Sequence, residues 1–206
     1  MWGQPPSAVR PGEARLCMQH IQGGVDYFHP EVRLDSTMAV EEITLNGKRV
    51  ETLKELLRPG LKAVFIGLNP SAKSVEKGHY YQGRHGRRFW DQLRAYRILP
   101  SLRLGAEDDD SFDLGYGFLD LIRRPTVSSK DLTTAEKSAA VDDLAVRLAA
   151  TADRPLIIFR YKEPRTLAEA RLIEIGYSVQ QMPSPYLKKE YSDEMMKQLR
   201  TALRLD

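Results

Sequence analysis

From Lys62 onward, short apolar runs of strand length alternate with stretches of helical periodicity. Ala63 to Leu68 reads as a strand, and Arg87 to Ile98 as a helix with Phe89, Trp90, Leu93 and Tyr96 on one stripe. Gly117 to Ile122 is the next strand. The capping box Thr133-x-x-Glu136 then opens a helix through Leu148 whose core stripe holds Val141, Leu144 and Leu148. Pro155 to Phe159 is a third strand, Pro164 to Ile175 a helix stopped by Gly176, Tyr177 to Met182 a fourth strand, and Ser192 to Leu203 the last helix. Strands joined by helical crossovers run parallel, and a parallel sheet needs cover on both faces. The expectation is an α/β fold: a three-layer α/β/α sandwich on a central, mostly parallel, four-stranded sheet.

Residues 1–50 carry scattered proline and glycine without sustained periodicity and read as an extension, with residues 51–206 as the catalytic domain. Asn46-Gly47 between alternating apolar residues predicts a hairpin. Thr52-x-x-Glu55 resembles a capping box and predicts a short helix ending at Pro59-Gly60. The acidic run Glu107 to Asp110 reads as a solvated loop. The 31 Lys+Arg against 28 Asp+Glu leave a net charge of +3, which permits a polyanionic partner without demanding one. A single cysteine, Cys17, excludes an internal disulfide framework and fits a reducing cytosol. Cys17, His20 and His29 lack a fourth ligand, so no metal site is expected. The sequence holds no run of membrane-span length and starts without a charged flank and apolar stretch, so a cytoplasmic, nucleoid-associated protein with no membrane partner is expected. Neither a phosphate-binding Gly-x-x-x-x-Gly-Lys nor a Gly-x-Ser-x-Gly elbow is present, which speaks against nucleotide hydrolysis and serine-hydrolase chemistry.

Ligands of open α/β sheets gather beyond the carboxyl ends of the strands, where loops and helix N-termini present free N–H groups. The loop after the first strand is Gly67-Leu-Asn-Pro-Ser-Ala-Lys-Ser74, and the loop after the last is Pro183-Ser-Pro-Tyr-Leu-Lys-Lys189. Pro70, Pro183 and Pro185 limit the freedom these loops lose on binding, while Ser71, Ser74, Ser184, Lys188 and Lys189 suit phosphate. Each alone is an ordinary turn; the pair at strand ends reads as a site. Between them, Gly78-His-Tyr-Tyr-Gln-Gly-Arg-His-Gly-Arg-Arg-Phe-Trp90 interleaves aromatic and basic residues, a pattern suited to a flipped or single-stranded nucleotide. Phe89 and Trp90 equally suit a helix core, and Arg87 and Arg88 a solvated face.

Val64-Phe-Ile-Gly-Leu-Asn-Pro70, the Gly78 to Trp90 block, Gly115-Tyr-Gly-Phe-Leu-Asp-Leu-Ile-Arg-Arg-Pro-Thr-Val127 and Met182-Pro-Ser184 resemble, in order and spacing, the mismatch-specific uracil-DNA glycosylases and their thymine-DNA glycosylase relatives. The likeness runs from about Arg58 to Leu203. It implies the uracil-DNA glycosylase fold and a monofunctional enzyme that removes a base from DNA without metal or cofactor. It puts Asn69 at the residue that positions the attacking water, Tyr81 or its neighbour Tyr80 at the aromatic that stacks on the flipped base, and Ser74 at the pocket serine. Ser184 and its loop match the motif that enters or grips the duplex, with Tyr186 at the position of the wedge leucine. Three departures stand out: Ser71 replaces a glycine, Met182 an asparagine and Pro185 a glycine. The first narrows the pocket in favour of uracil over larger bases, and the second weakens any account of how the opposite strand is held.

An asparagine amide orients water but takes no proton near neutrality, so bond breaking must lead. The departing pyrimidine anion would be stabilised by backbone N–H groups of the Gly67 to Ser71 loop, Gly67, Leu68, Asn69 and Ser71, and of Tyr80 and Tyr81. Asp91 on the helix, or Asp120 in the second strand, is placed to assist. Ser71, Lys73, Arg84, Arg87, Ser184, Pro185, Tyr186 and Lys188 make up the expected DNA surface, and a monomer acting on a U·G pair in duplex DNA is the expected unit. The alternatives are a non-catalytic binder of damaged or single-stranded DNA and a small-molecule nucleoside hydrolase, which would not need Lys188, Lys189, Arg84, Arg87 and Arg88 for phosphate contacts.

Overall fold

The structure is a computed structural model that describes residues 39–45 and 47–205. Cys17, His20 and His29 lie outside the described residues, as does Asn46 of the hairpin turn. An antiparallel hairpin, β1 (Val40–Leu45) and β2 (Lys48–Leu53), comes first, with Gly47 at a φ of +75° that favours glycine. The division drawn at residue 50 falls inside β2.

The chain then runs β3 (Ala63–Gly67), α1 (Ala72–Lys77), α2 (Gly83–Ala95), α3 (Glu107–Asp113), β4 (Tyr116–Asp120), α4 (Thr134–Leu148), β5 (Leu156–Phe159), α5 (Lys162–Glu174), β6 (Val179–Gln181) and α6 (Lys189–Ala202). The four-stranded sheet is parallel throughout, in the order β4-β3-β5-β6. Strand periodicity of two sends alternate residues to opposite faces. Phe65 and Ile158 therefore join Phe89, Trp90 and Leu93 of α2 and Met196 and Leu199 of α6. Val64, Ile66 and Ile157 instead meet Leu144 and Leu148 of α4 and Ala168 and Leu172 of α5. Each large side chain buried in this way contributes roughly 1.5–3 kcal/mol. The three-layer α/β/α architecture is the one expected from the alternation. Among the described residues, no helix is long and apolar enough to cross a membrane.

Two local expectations are corrected. Thr52 and Glu55 open no helix: Thr52 lies in β2 opposite Glu41 and donates its hydroxyl to the Arg123 carbonyl at 2.6 Å, while Glu55 pairs with Arg147 of α4. These long-range partners outweigh a local cap. The acidic run is not a solvated loop but the start of α3, with Glu107 and Asp108 only 7% and 2% exposed.

Candidate active site

Asn69 stands in the bend between β3 and α1. Pro70 lacks the N–H to continue the ladder, and Ser71 caps α1 by accepting from the Ser74 N–H at 3.1 Å. Asn69 is held by its side chain instead. Its Nδ2 donates to Thr126 Oγ1 at 2.8 Å, to the Arg124 carbonyl at 3.1 Å and to the Pro70 carbonyl at 3.3 Å. Carbonyl oxygens only accept, so the amide nitrogen is fixed on this side, and among the described residues Oδ1 is left as a free acceptor. The anchors are themselves anchored. Thr126 Oγ1 donates to the Ser128 carbonyl at 2.8 Å, and the Arg124 guanidinium grips Glu136 at 2.6 and 3.1 Å. Glu136 is the capping-box residue of α4; the Arg124 bond, helped by Thr133, holds its carboxyl down to about 2.

Beside Asn69 lies a cleft of about 100 Å³ bordered by Ser74, Tyr80, Tyr81, Asp120 and Tyr161. That is the liquid volume of about three waters, enough for one small ring. It opens where β3 and β5 end, the point at which the crossovers diverge to opposite edges of the sheet and where α/β folds place ligands. Tyr80 is buried and Tyr81 half-buried, with the Tyr81 ring centroid 4.0 Å from that of Phe89. Tyr81 takes a φ of +54°, and a Cβ on Gly86 would fall 1.6 Å from its carbonyl oxygen, so only glycine lets α2 press this close to the loop. Asp108 braces the same loop, accepting from the Tyr80 N–H at 2.7 Å and meeting His79 Nδ1 at 2.9 Å. The bond to Asp108 raises the His79 pKa, against the opposing effect of burial. His79, Asp108 and Asp109 bring ligand-type atoms within 4.8 Å of one another, but both Asp108 oxygens are committed to the loop.

Asp120 ends β4 beneath the cleft, 6% exposed. Burial pushes its carboxyl up to about 7, with Arg147 opposing and Glu55 adding to the rise. Arg147 is spent elsewhere: it donates to the Asp120 and Leu121 carbonyls at 3.0 and 2.7 Å and pairs with Glu55. The Tyr81 hydroxyl is buried without a hydrogen-bond partner among the described residues, and burial followed by the neighbouring Asp120 keeps it protonated well above neutrality.

A second cleft of about 410 Å³ also borders α2, lined by Arg88, Asp91, Gln92, Ser184, Pro185 and Lys189 among others. Tyr186 is 71% exposed, and its hydroxyl accepts from Arg88 at 2.8 Å. Helix α2 contributes to both clefts, His85 and Gly86 to the first and Arg88 and Gln92 to the second.

The family model of the Uracil DNA glycosylase superfamily matches residues 55–204. The chain belongs to that superfamily. A solution structure from Methanosarcina acetivorans, provisionally described as a uracil DNA glycosylase, superposes with a TM-score of 0.51 at 18% identity, covering 73% of this chain and 96% of that one. At that identity the likeness speaks for the fold. Superfamily membership brings the coarser function with it: a DNA glycosylase that hydrolyses an N-glycosidic bond.

Within this glycosylase fold the structure gathers Asn69, Ser71, Ser74, Tyr80 and Tyr81 around one cleft. Ser74 is turned to its neighbours, accepting from Ser71 Oγ at 3.0 Å and from the Gln82 N–H at 3.2 Å. Gly67 backs onto Asp120, and the Leu68 side chain is packed in the opposite core, away from the cleft. Asp91 does not border this cleft; it is exposed beside the second one and paired with Arg94. Ser184 and Pro185 line the second cleft rather than the one beside Asn69. Lys73 pairs with Glu76 at 3.1 Å, Lys188 is exposed at the start of α6, and Arg84 and Arg87 are exposed without an ion-pair partner among the described residues. Sequence reasoning missed Tyr161, Thr126 and Arg124. Tyr161 had a signal, its place two residues beyond the third strand at the divergence of the crossovers.

Proposed function

We propose that the chain is a monofunctional glycosylase of the mismatch-specific type, which flips uracil from a U·G pair in duplex DNA and removes it by hydrolysis. The observation that carries this reading is the Asn69 amide, locked through Nδ2 onto two main-chain carbonyls and Thr126 so that Oδ1 remains an acceptor beside a ring-sized cleft. The bond between C1′ and the pyrimidine nitrogen breaks first, its electron pair leaving with the base. A water held by Oδ1 then bonds to C1′, and its proton passes to the departing base or to solvent. Flipping costs a few kcal/mol and least at a mismatch, so selection begins before chemistry. Lys73, Arg84, Arg87 and Lys188 present positive charge for the phosphates, and Ser184, Pro185 and Tyr186 form the edge that meets the duplex.

The test is Asn69→Ala on labelled U·G duplex, read as alkali-labile abasic sites. The expected outcome is a loss of at least about 10²-fold in product with DNA binding retained, the scale on which misplacing one reacting group acts. Full activity in this variant sinks the assignment.

A further inference from the structure

We propose that Asp120 works as a protonated acid that reads the edge of the base in the cleft, its O–H donating and its carbonyl accepting side by side, so that the site takes lactam bases bearing a –C(=O)–NH– edge. The inference rests on the glycosylase reading and deepens it by naming a residue that selects the base.

Asp120 borders the cleft, and neither of its carboxyl oxygens meets a hydrogen-bond donor among the described residues. The space it occupies exists because residue 67 is glycine: a Cβ there would lie 2.0 Å from Asp120 Oδ1, and that same point is 3.4 Å from the Tyr81 hydroxyl oxygen. Two neighbouring polar groups, the Asp120 carboxyl and the Tyr81 hydroxyl, thus border the cleft without hydrogen-bond partners among the described residues. Leaving such groups unpaired costs about 1–3 kcal/mol each, a cost that a ligand with matching groups relieves.

Burial favours the neutral form of the acid, and the charges around it are divided, Arg147 opposing and Glu55 adding to the rise. Glu55, from the segment after β2, adds negative charge, while Arg147 of α4 directs its N–H groups at Glu55, Asp143 and main-chain carbonyls. The Tyr80 and Tyr81 hydroxyls facing it from the loop before α2 stay protonated, and Arg160 and Tyr161 after β5 act on Tyr81. A neutral carboxyl forms two parallel hydrogen bonds with a lactam. An ionised one keeps the bond from the ring N–H but sets its second oxygen against the base carbonyl. Activation of the attacking water by Asp120 requires the ionised form, so the two roles give opposite pH slopes.

The full-length protein and Asp120→Asn are titrated with free uracil by calorimetry across about pH 6–8, alongside abasic-site formation on U·G duplex. The unmodified protein is expected to lose uracil affinity by about tenfold per pH unit above about 7. Asp120→Asn, which keeps a donor and an acceptor, is expected to bind with no such slope. A flat or rising profile in the unmodified protein, or no uracil binding at all, overturns the inference. Uracil binding with the expected slope but no abasic product leaves the inference standing and removes the glycosylase reading; abasic product without the slope does the reverse.

Discussion

The loop after β3 and the loop after β6 both bend on proline at the end of a parallel strand, yet they hold their side chains in different ways. In the first, three hydrogen bonds fix the Asn69 amide, and one of its anchors is tied through Arg124 to the cap of α4. In the second, the residues from Ser184 to Lys188 are exposed, and among the described residues beyond its own loop Tyr186 is hydrogen-bonded by Arg88 only. A group that must hold one water against one carbon loses rate with each fraction of an ångström of play. A group that meets a flexible phosphate backbone gains from side chains that adjust. The difference is therefore one of tolerance: the first loop is built against movement and the second permits it.

Three substitutions probe that contrast, beginning with the largest effect. Gly86→Ala places a methyl 1.6 Å from the Tyr81 carbonyl oxygen and forces the first cleft open. It should cost about 2 kcal/mol or more and lower the melting temperature by roughly 5 °C, with loss of base release. An unshifted melting curve would mean the loop before α2 yields freely. Thr126→Val removes one anchor of Asn69 and leaves its shape; about 1 kcal/mol of stability and about tenfold in product formation should go, measured by denaturant unfolding and the abasic-site assay. Lys188→Ala, in the tolerant loop, should leave stability within about 0.5 kcal/mol and reduce the dependence of log affinity for DNA on log salt by about one. A stability loss as large as that of Thr126→Val would erase the distinction between the two loops.

The layered fold was legible because its signal is repeated: Phe65, Ile158 and Leu93 fall on one face of the sheet and Val64, Ile157 and Leu148 on the other, as the two periodicities require. The capping box at Thr133 was legible for the same reason, being local. What escaped is non-local. Thr52 and Glu55 carry the spelling of a helix start, but Arg123 and Arg147, far along the chain, draw them elsewhere. Glu107 and Asp108 show no apolar stripe, because their burial is satisfied by a main-chain N–H from Gly105, His79 and the Tyr80 N–H rather than by packing alone. Asn69 was marked by the family resemblance within its strand-end loop, while Arg124 and Thr126, which orient it, lie in another matching block beyond a different strand, where nothing local announces a bond back to residue 69.

Because α2 lends His85 and Gly86 to one cleft and Arg88 and Gln92 to the other, the two share a wall made from one rigid element. A substitution that shifts this helix therefore alters both clefts together, and neither can be reshaped in isolation.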